Sequence, residues 1–190
     1  MIDRLTLVLQ LAGQQVSLDN NGLSDTASGL SASRAGLQVR LLDYRRWTVS
    51  AQAAAIIPGG GENVADRPLG DGANGLEVRA LAGRSIGEHG FLDLQWSQTW
   101  RDDNYPSEQR FDATLGWRWR ERWIVMGQSF LTHGDSDLHR SIREFRQHKL
   151  QFSVGRRIGP GRAVLGFFTT VSGRNSVDES GLVISWWRRF

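Results

Sequence analysis

The chain has 190 residues, 23 Lys plus Arg against 20 Asp plus Glu for a formal net charge of +3, and no Cys. That length supplies one sizeable domain, and the missing Cys excludes a disulfide framework or a thiolate metal site. The basic side chains, all Arg except Lys149, are scattered among acidic neighbours, which argues against a nucleic-acid surface, and no run of 18 apolar residues suggests a membrane-crossing helix.

Alternation with period two runs through nearly the whole chain and predicts strands rather than helices. Ten segments carry it: about 3–12, 34–43, 47–57, 75–84, 90–101, 109–119, 122–132, 145–157, 162–173 and 180–190. The first puts Leu5, Leu7, Leu9 and Leu11 on one face; the second, Leu37, Val39 and Leu41 against Gln38 and Arg40; the third, Val49, Ala51, Ala53 and Ala55 against Ser50 and Gln52. The fourth sets Leu76, Val78 and Ala80 against Glu77 and Arg79, and the fifth sets Leu92, Leu94 and Trp96 against Asp93, Gln95 and Ser97. In the sixth, Phe111, Ala113, Leu115 and Trp117 oppose Asp112, Thr114 and Arg118. The seventh is ambiguous, because Met126, Gln128 and Phe130 fit either face. The eighth sets Leu150, Phe152 and Val154 against Lys149, Gln151 and Ser153, and the ninth sets Leu165, Phe167 and Val171 against Val164, Phe168 and Thr170. The tenth separates Leu182, Ile184, Trp186 and Arg188 from Gly181, Val183, Ser185, Trp187 and Arg189.

The connections alternate in length. Short turns are expected at 43–46, 85–89, 120–121 and 158–161, and longer polar loops at 14–33, 58–74, 102–108, 133–144 and 174–179. Most segments have the length of a tilted strand crossing a bilayer, and short turns at one end with long loops at the other belong to up-and-down membrane barrels. Alternation by itself does not say which face is inside, since a soluble barrel hides its apolar side and a membrane barrel displays it. The aromatic residues favour the membrane: Tyr44, Trp47, Trp119, Trp123, Trp186, Trp187 and Phe190 all fall near the short-turn ends, where an interfacial girdle belongs. The expected fold is therefore an all-β, antiparallel up-and-down transmembrane β-barrel, with residues 1–190 forming one domain.

On that reading Arg40, Glu77, Arg79, Asp93, Asp112 and Arg118 line the lumen, with Gln38, Gln52 and Gln95 as hydrogen-bonding neighbours. Opposite charges on neighbouring strands should pair or be hydrated, because burial without a partner costs several kcal/mol. They serve either as structural filling or as a selectivity wall. His133-Gly134-Asp135-Ser136-Asp137-Leu138-His139 is the most reactive-looking cluster, facing Glu62, Asp66 and Asp71 of another long loop. It fits a metal site or a rim hydrolase, but a solvated loop has the same composition. Ser129 and His133 form a further candidate pair without a recognisable motif, and Gly59-Gly60-Gly61 lacks the Lys-Ser/Thr and helix of a phosphate loop. No catalytic residue, metal or cofactor is assigned.

The final strand, ending on Phe190, resembles the signal by which Gram-negative outer-membrane barrels are recognised for insertion. Further stretches resemble proteobacterial outer-membrane barrels of the meta-pathway of phenol degradation family of transporter-like proteins. They are Gly36-Leu37-Gln38-Val39-Arg40-Leu41-Leu42, Ile57-Pro58-Gly59-Gly60, Leu76-Glu77-Val78-Arg79-Ala80-Leu81-Ala82-Gly83, Phe91-Leu92-Asp93-Leu94-Gln95, Gln128-Ser129-Phe130, His148-Lys149-Leu150-Gln151 and Val171-Ser172-Gly173-Arg174-Asn175. The resemblance implies a bacterial outer-membrane location, the lipid bilayer and the outer-membrane insertion machinery as partners, and passage of small hydrophobic or aromatic molecules. It also implies a signal peptide and about one hairpin before Met1, giving about 12 strands in a full-length protein. A closed barrel acting through its loops is the alternative.

Overall fold

The computed structural model describes residues 4–11, 13–20, 23–30, 32–59, 73–102, 106–120, 122–136, 143–176 and 178–188. Twelve strands follow in order: β1 (Leu5–Gln10), β2 (Gly13–Asn20), β3 (Leu23–Leu30), β4 (Ser33–Tyr44), β5 (Trp47–Ile57), β6 (Gly75–Ile86), β7 (Gly90–Arg101), β8 (Glu108–Trp119), β9 (Trp123–Gly134), β10 (Phe145–Ile158), β11 (Gly161–Arg174) and β12 (Ser180–Arg188). Ten form one antiparallel sheet in the order β1-β4-β5-β6-β7-β8-β9-β10-β11-β12, while β2 and β3 pair only with each other. Apart from that excursion, every neighbour in the sheet is a neighbour in sequence, which is the up-and-down connectivity that the loop rhythm predicts. The fold is an all-β, antiparallel barrel-type sheet.

One expectation fails at 14–33, read as a loop but containing the β2–β3 hairpin. The missed signal is Asn21-Gly22 between two alternating runs, a dipeptide that favours type I′ hairpin turns.

Register fixes the faces. Successive strand residues point to opposite sides, and the pairings carry one face across the sheet. Gln38 lies opposite Gln52, Gln52 opposite Arg79, Arg79 opposite Ser97, and Ser97 opposite Arg110. Glu77, Ser97, Thr99, Asp112, Ile124, Met126, Ser153 and Val164 are all buried on this side. The other side exposes Leu5, Leu7, Leu37, Leu76, Trp96, Leu115, Phe152, Leu165, Ile184 and many more large apolar groups. A contiguous apolar surface on this scale is foreign to soluble monomers. The buried side is concave: Thr48 of β5, Phe91 of β7 and Trp187 of β12 line one cavity, so strands from distant parts of the sheet face one another.

The ambiguous seventh segment is resolved. Ile124, Met126, Gln128 and Phe130 point to the concave side, because they pair with Gly155, Ser153, Gln151 and Lys149. Bulky groups there lean over glycines on the next strand. A Cβ on Gly116 would lie 2.1 Å from the Phe91 ring, one on Gly134 2.0 Å from Phe145, and one on Gly155 2.7 Å from Ile124. The large-and-small alternation packs the concave wall without spreading the strands.

Two irregularities re-aim side chains. The β4–β5 register shifts between Arg40 and Leu42, so Leu41 is an extra residue and both Leu41 and Leu42 face outward. Asp43, expected at the boundary of strand and turn, is thereby brought to the concave side opposite Thr48. A second shift, in β10–β11, makes Val171 the extra residue. The short turns use left-handed backbone at Arg45 (φ 55°), Gly87 (60°), Arg120 (49°) and Gly159 (55°).

Candidate functional site

The concave wall carries a connected polar ladder centred on Arg79. Its guanidinium donates to Glu77 Oε1 at 3.0 and 3.2 Å and to Oε2 at 3.1 Å, and to Gln95 Oε1 at 2.7 Å. Asp112 Oδ2 lies 3.9 Å from Nη1, and Asp112 in turn accepts from Arg110 Nε at 2.7 Å. Gln95 passes the chain on by donating to Asp93 Oδ1 at 2.6 Å, and Arg34 Nε approaches Glu77 from the other side at 3.8 Å. Alternation places each of these groups on the same side of β4, β6, β7 or β8, and register brings them within reach. Glu77 and Asp112 are buried, and each has a cation at hydrogen-bond distance.

All nine sequence-selected wall residues lie on this face, but they do not form one network. Glu77, Arg79, Asp93, Gln95 and Asp112 are joined. Gln38 and Gln52 oppose each other across β4 and β5. Arg40 sits apart, donating to Asp43 Oδ2 at 3.2 Å, while Thr48 donates to Asp43 Oδ1 at 2.6 Å. Arg118 has its guanidinium 5.5 Å from the centroid of Phe91. Sequence reading missed Arg110, although it stands two residues from Asp112 in a period-two strand. It also missed Arg34, and Asp43, which no pattern reveals without the bulge.

Farther round the wall a second cluster is built of neutral groups. Gln151 Nε2 donates to Gln128 Oε1 and Ser153 Oγ, both at 2.9 Å, and Ser153 donates to Gln128 Oε1 at 3.1 Å. Lys149 pairs with Glu179 and lies 5.7 Å from the Phe168 ring centroid. Toward the short-turn end, Ile124, Met126 and Val164 form a buried apolar cluster with Phe91 against it.

The convex face ends in aromatic residues at the short-turn side. Tyr44 and Trp47 are cross-strand partners, as are Trp119 and Trp123. Arg45 stacks on Tyr44 at 5.2 Å, Arg84 on Trp47 at 5.2 Å, Arg120 on Trp119 at 5.1 Å and Arg156 on Trp123 at 5.2 Å. Trp186 is exposed on the same convex face. Trp187 differs from the girdle expectation: its register with Arg162 turns it to the concave side, where it lines the cavity with Phe91 and Arg118. Its position near a strand end suggested the girdle, but face parity decides the direction. Phe190 lies outside the described residues.

The rim chemistry is sparse. His133 faces outward, 3.8 Å from both Asp135 and Glu144 carboxylate oxygens, beyond hydrogen-bond length. Asp137, Glu62, Asp66, Asp71, Gly60 and Gly61 lie outside the described residues. Ser129 is not joined to His133; its Oγ is 2.9 Å from Nε2 of His148 on the adjacent strand. Among the described residues no three His, Asp or Glu side chains converge to hold a metal.

Comparison with known proteins bears on the architecture. No protein-family profile and no curated protein matches the chain. Among solved structures it is similar to the crystal structure of an outer membrane channel from Pseudomonas putida F1, with a TM-score of 0.73 and 16% identity over 99% of this chain and 78% of that one. What the two share is the fold.

Proposed function

We propose that this protein is a bacterial outer-membrane barrel that passes or binds small molecules through its lumen. The observation that carries the proposal is the inversion of its two faces. The convex surface is apolar and bordered by Arg-stacked aromatics, while the concave one holds charged groups in a hydrogen-bonded ladder. A soluble sheet buries the first kind of face and exposes the second; a membrane barrel does the reverse. Likeness to an outer membrane channel supports the same reading. The lipid bilayer and the outer-membrane insertion machinery are then its partners, and no cofactor or covalent step is required.

Specificity arises from contrasting walls. The β6–β8 side offers fixed, mutually paired charges. The β9–β11 side offers Met126, Phe168, Val164 and neutral amides, its cations being Lys149, paired with Glu179, and Arg157 and Arg162 at the short-turn end. A permeant with a polar end and an apolar or aromatic body satisfies both. Conductance in planar bilayers tests the pore: discrete single-channel steps are expected, and Arg79→Glu should shift ion selectivity toward cations. A second reading, a barrel filled by its own side chains and acting through its loops, draws on the burial of Ile124, Met126 and Val164 to 2–5% exposure. Silence in bilayers after confirmed insertion would select that reading.

A further inference from the structure

The cations of the concave face are not evenly matched. Arg34, Arg79 and Arg110 each have a carboxylate within 4 Å, and Lys149 has Glu179. At the short-turn end this balance breaks. Arg118, Arg157 and Arg162 all point inward there, and none makes an ion pair with a described carboxylate. Asp93, which lines one cavity with Arg118, is engaged by Gln95 at 2.6 Å.

Register makes the imbalance sharper. Arg157 and Arg162 are direct cross-strand partners, an arrangement of like charges that is unfavourable without a counter-charge. Arg162 does not swing clear of the wall. Its Cδ lies 3.2 Å from where a Gly155 Cβ would be, and its buried Nε has no hydrogen-bond partner. An orphaned guanidinium N–H is costly, and a carboxylate is its natural acceptor. Because these residues lie on the concave side, lipid phosphates at the convex surface cannot serve.

Part of the setting is apolar. Arg118 flanks Ile124 across β8–β9, Arg162 reaches Gly155 on the far side of the same residue, and Trp187 opposes Arg162 on β12. Phe91, Met126 and Trp187 form the apolar part of a cavity of about 450 Å³, a volume suited to a small molecule. Arg46, Arg118 and Asp93 also line it, and Arg162 stands beside it as the cross-strand neighbour of Trp187. We infer that the short-turn end of the lumen holds a binding subsite for a small organic acid, its carboxylate taken by Arg118 and Arg162 and its apolar body resting on Phe91 and Trp187. This rests on the lumen reading above and adds to it the charge and polarity of the ligand.

The test is binding of benzoate against its neutral counterpart benzyl alcohol, measured by calorimetry on the full chain folded in a non-ionic detergent. Charge-assisted hydrogen bonds should favour benzoate by about tenfold or more. Arg118→Gln and Arg162→Gln should each remove about tenfold of that preference and leave benzyl alcohol unchanged. Arg156→Gln, whose guanidinium stacks on Trp123 at the convex rim and lies outside the cavity lining, should leave benzoate binding intact. If an arginine variant does not fold, the unaltered protein still decides: hexanoate must displace benzoate and hexanol must not. Equal affinity for benzoate and benzyl alcohol overturns the subsite, as does a loss with Arg156→Gln equal to that with Arg118→Gln. Conductance is read separately, so a conducting barrel without the preference loses only the subsite, and a non-conducting one that binds benzoate loses only the pore.

Discussion

Leu115 and Thr114 are adjacent on β8 and point to opposite sides, so placing Arg at each in turn asks directly which face meets lipid. Leu115 is 59% exposed on the convex face, flanked in register by Leu92 and Gly127. Trp119 of the aromatic border lies four residues farther along the strand. At about 3.3 Å per residue and a tilt of about 40°, that is roughly 10 Å of depth, near the middle of an apolar band about 25 Å tall. Leu115→Arg should therefore cost about 2–4 kcal/mol in a bilayer. Thr114 faces Asp93 and Gln128 on the concave side, and Thr114→Arg should cost less than about 1 kcal/mol. Urea unfolding from phospholipid vesicles, followed by tryptophan fluorescence, measures both. A soluble barrel would tolerate Arg at the already exposed position 115 and suffer at 114. That reversed order, or equal effects, would refute the facing derived from register.

Two further outcomes follow from the wall and the bulge. Arg79→Ala strips buried Glu77 of its three closest hydrogen bonds and should destabilise by about 3 kcal/mol; adding Glu77→Ala should recover part of this, giving a coupling of about 2 kcal/mol in a double-mutant cycle, whereas additivity within about 0.5 kcal/mol would mean that the pair is solvated. Deleting Leu41 should preserve folding, because Arg40 would stay inward, Leu42 outward and Asp43 inward, whereas deleting Val39 would shift the register of the preceding residues. Heat-modifiable gel mobility reports folding, and equal failure of the two deletions would contradict the bulge.

Legibility followed the strength of the period-two signal. The segments at 47–57 and 90–101 coincide with β5 and β7 because polar and apolar residues alternate and abrupt turns bound them. Glu77, Arg79, Asp93 and Asp112 fell on one face for the same reason; Glu77 and Arg79 meet two residues apart on β6, and sheet register brings Asp112 to Arg79. Asp43 was out of reach, since one inserted residue inverts parity and Leu41-Leu42 carries no mark of which leucine is extra. Trp187 was misdirected when distance along the strand took precedence over face parity. Strand seven was opaque because its concave residues are apolar; only the pairing of Gln128 with Gln151 and Met126 with Ser153 reveals their direction.

On the lumen reading and the acid subsite proposed above, the same register gives the wall two separate tasks. Around Arg79 acid and base stand two residues apart on one strand, as Glu77 and Arg79 do, or face each other across an intervening strand, as Arg79 and Asp112 do, so most of their hydrogen-bonding capacity is spent on each other and the ladder is held rigid. At the short-turn end Arg118, Arg157 and Arg162 have no described acids opposite them, and Gly116 and Gly155 leave room for Phe91 and Ile124 to lie flat. Charge that is already paired can shape a passage but offers a ligand little; charge left unpaired beside an apolar floor can bind one. A permeant entering from the loop side would thus meet a fixed polar wall before it reached free cations, and recognition would be concentrated near the exit instead of along the whole lumen.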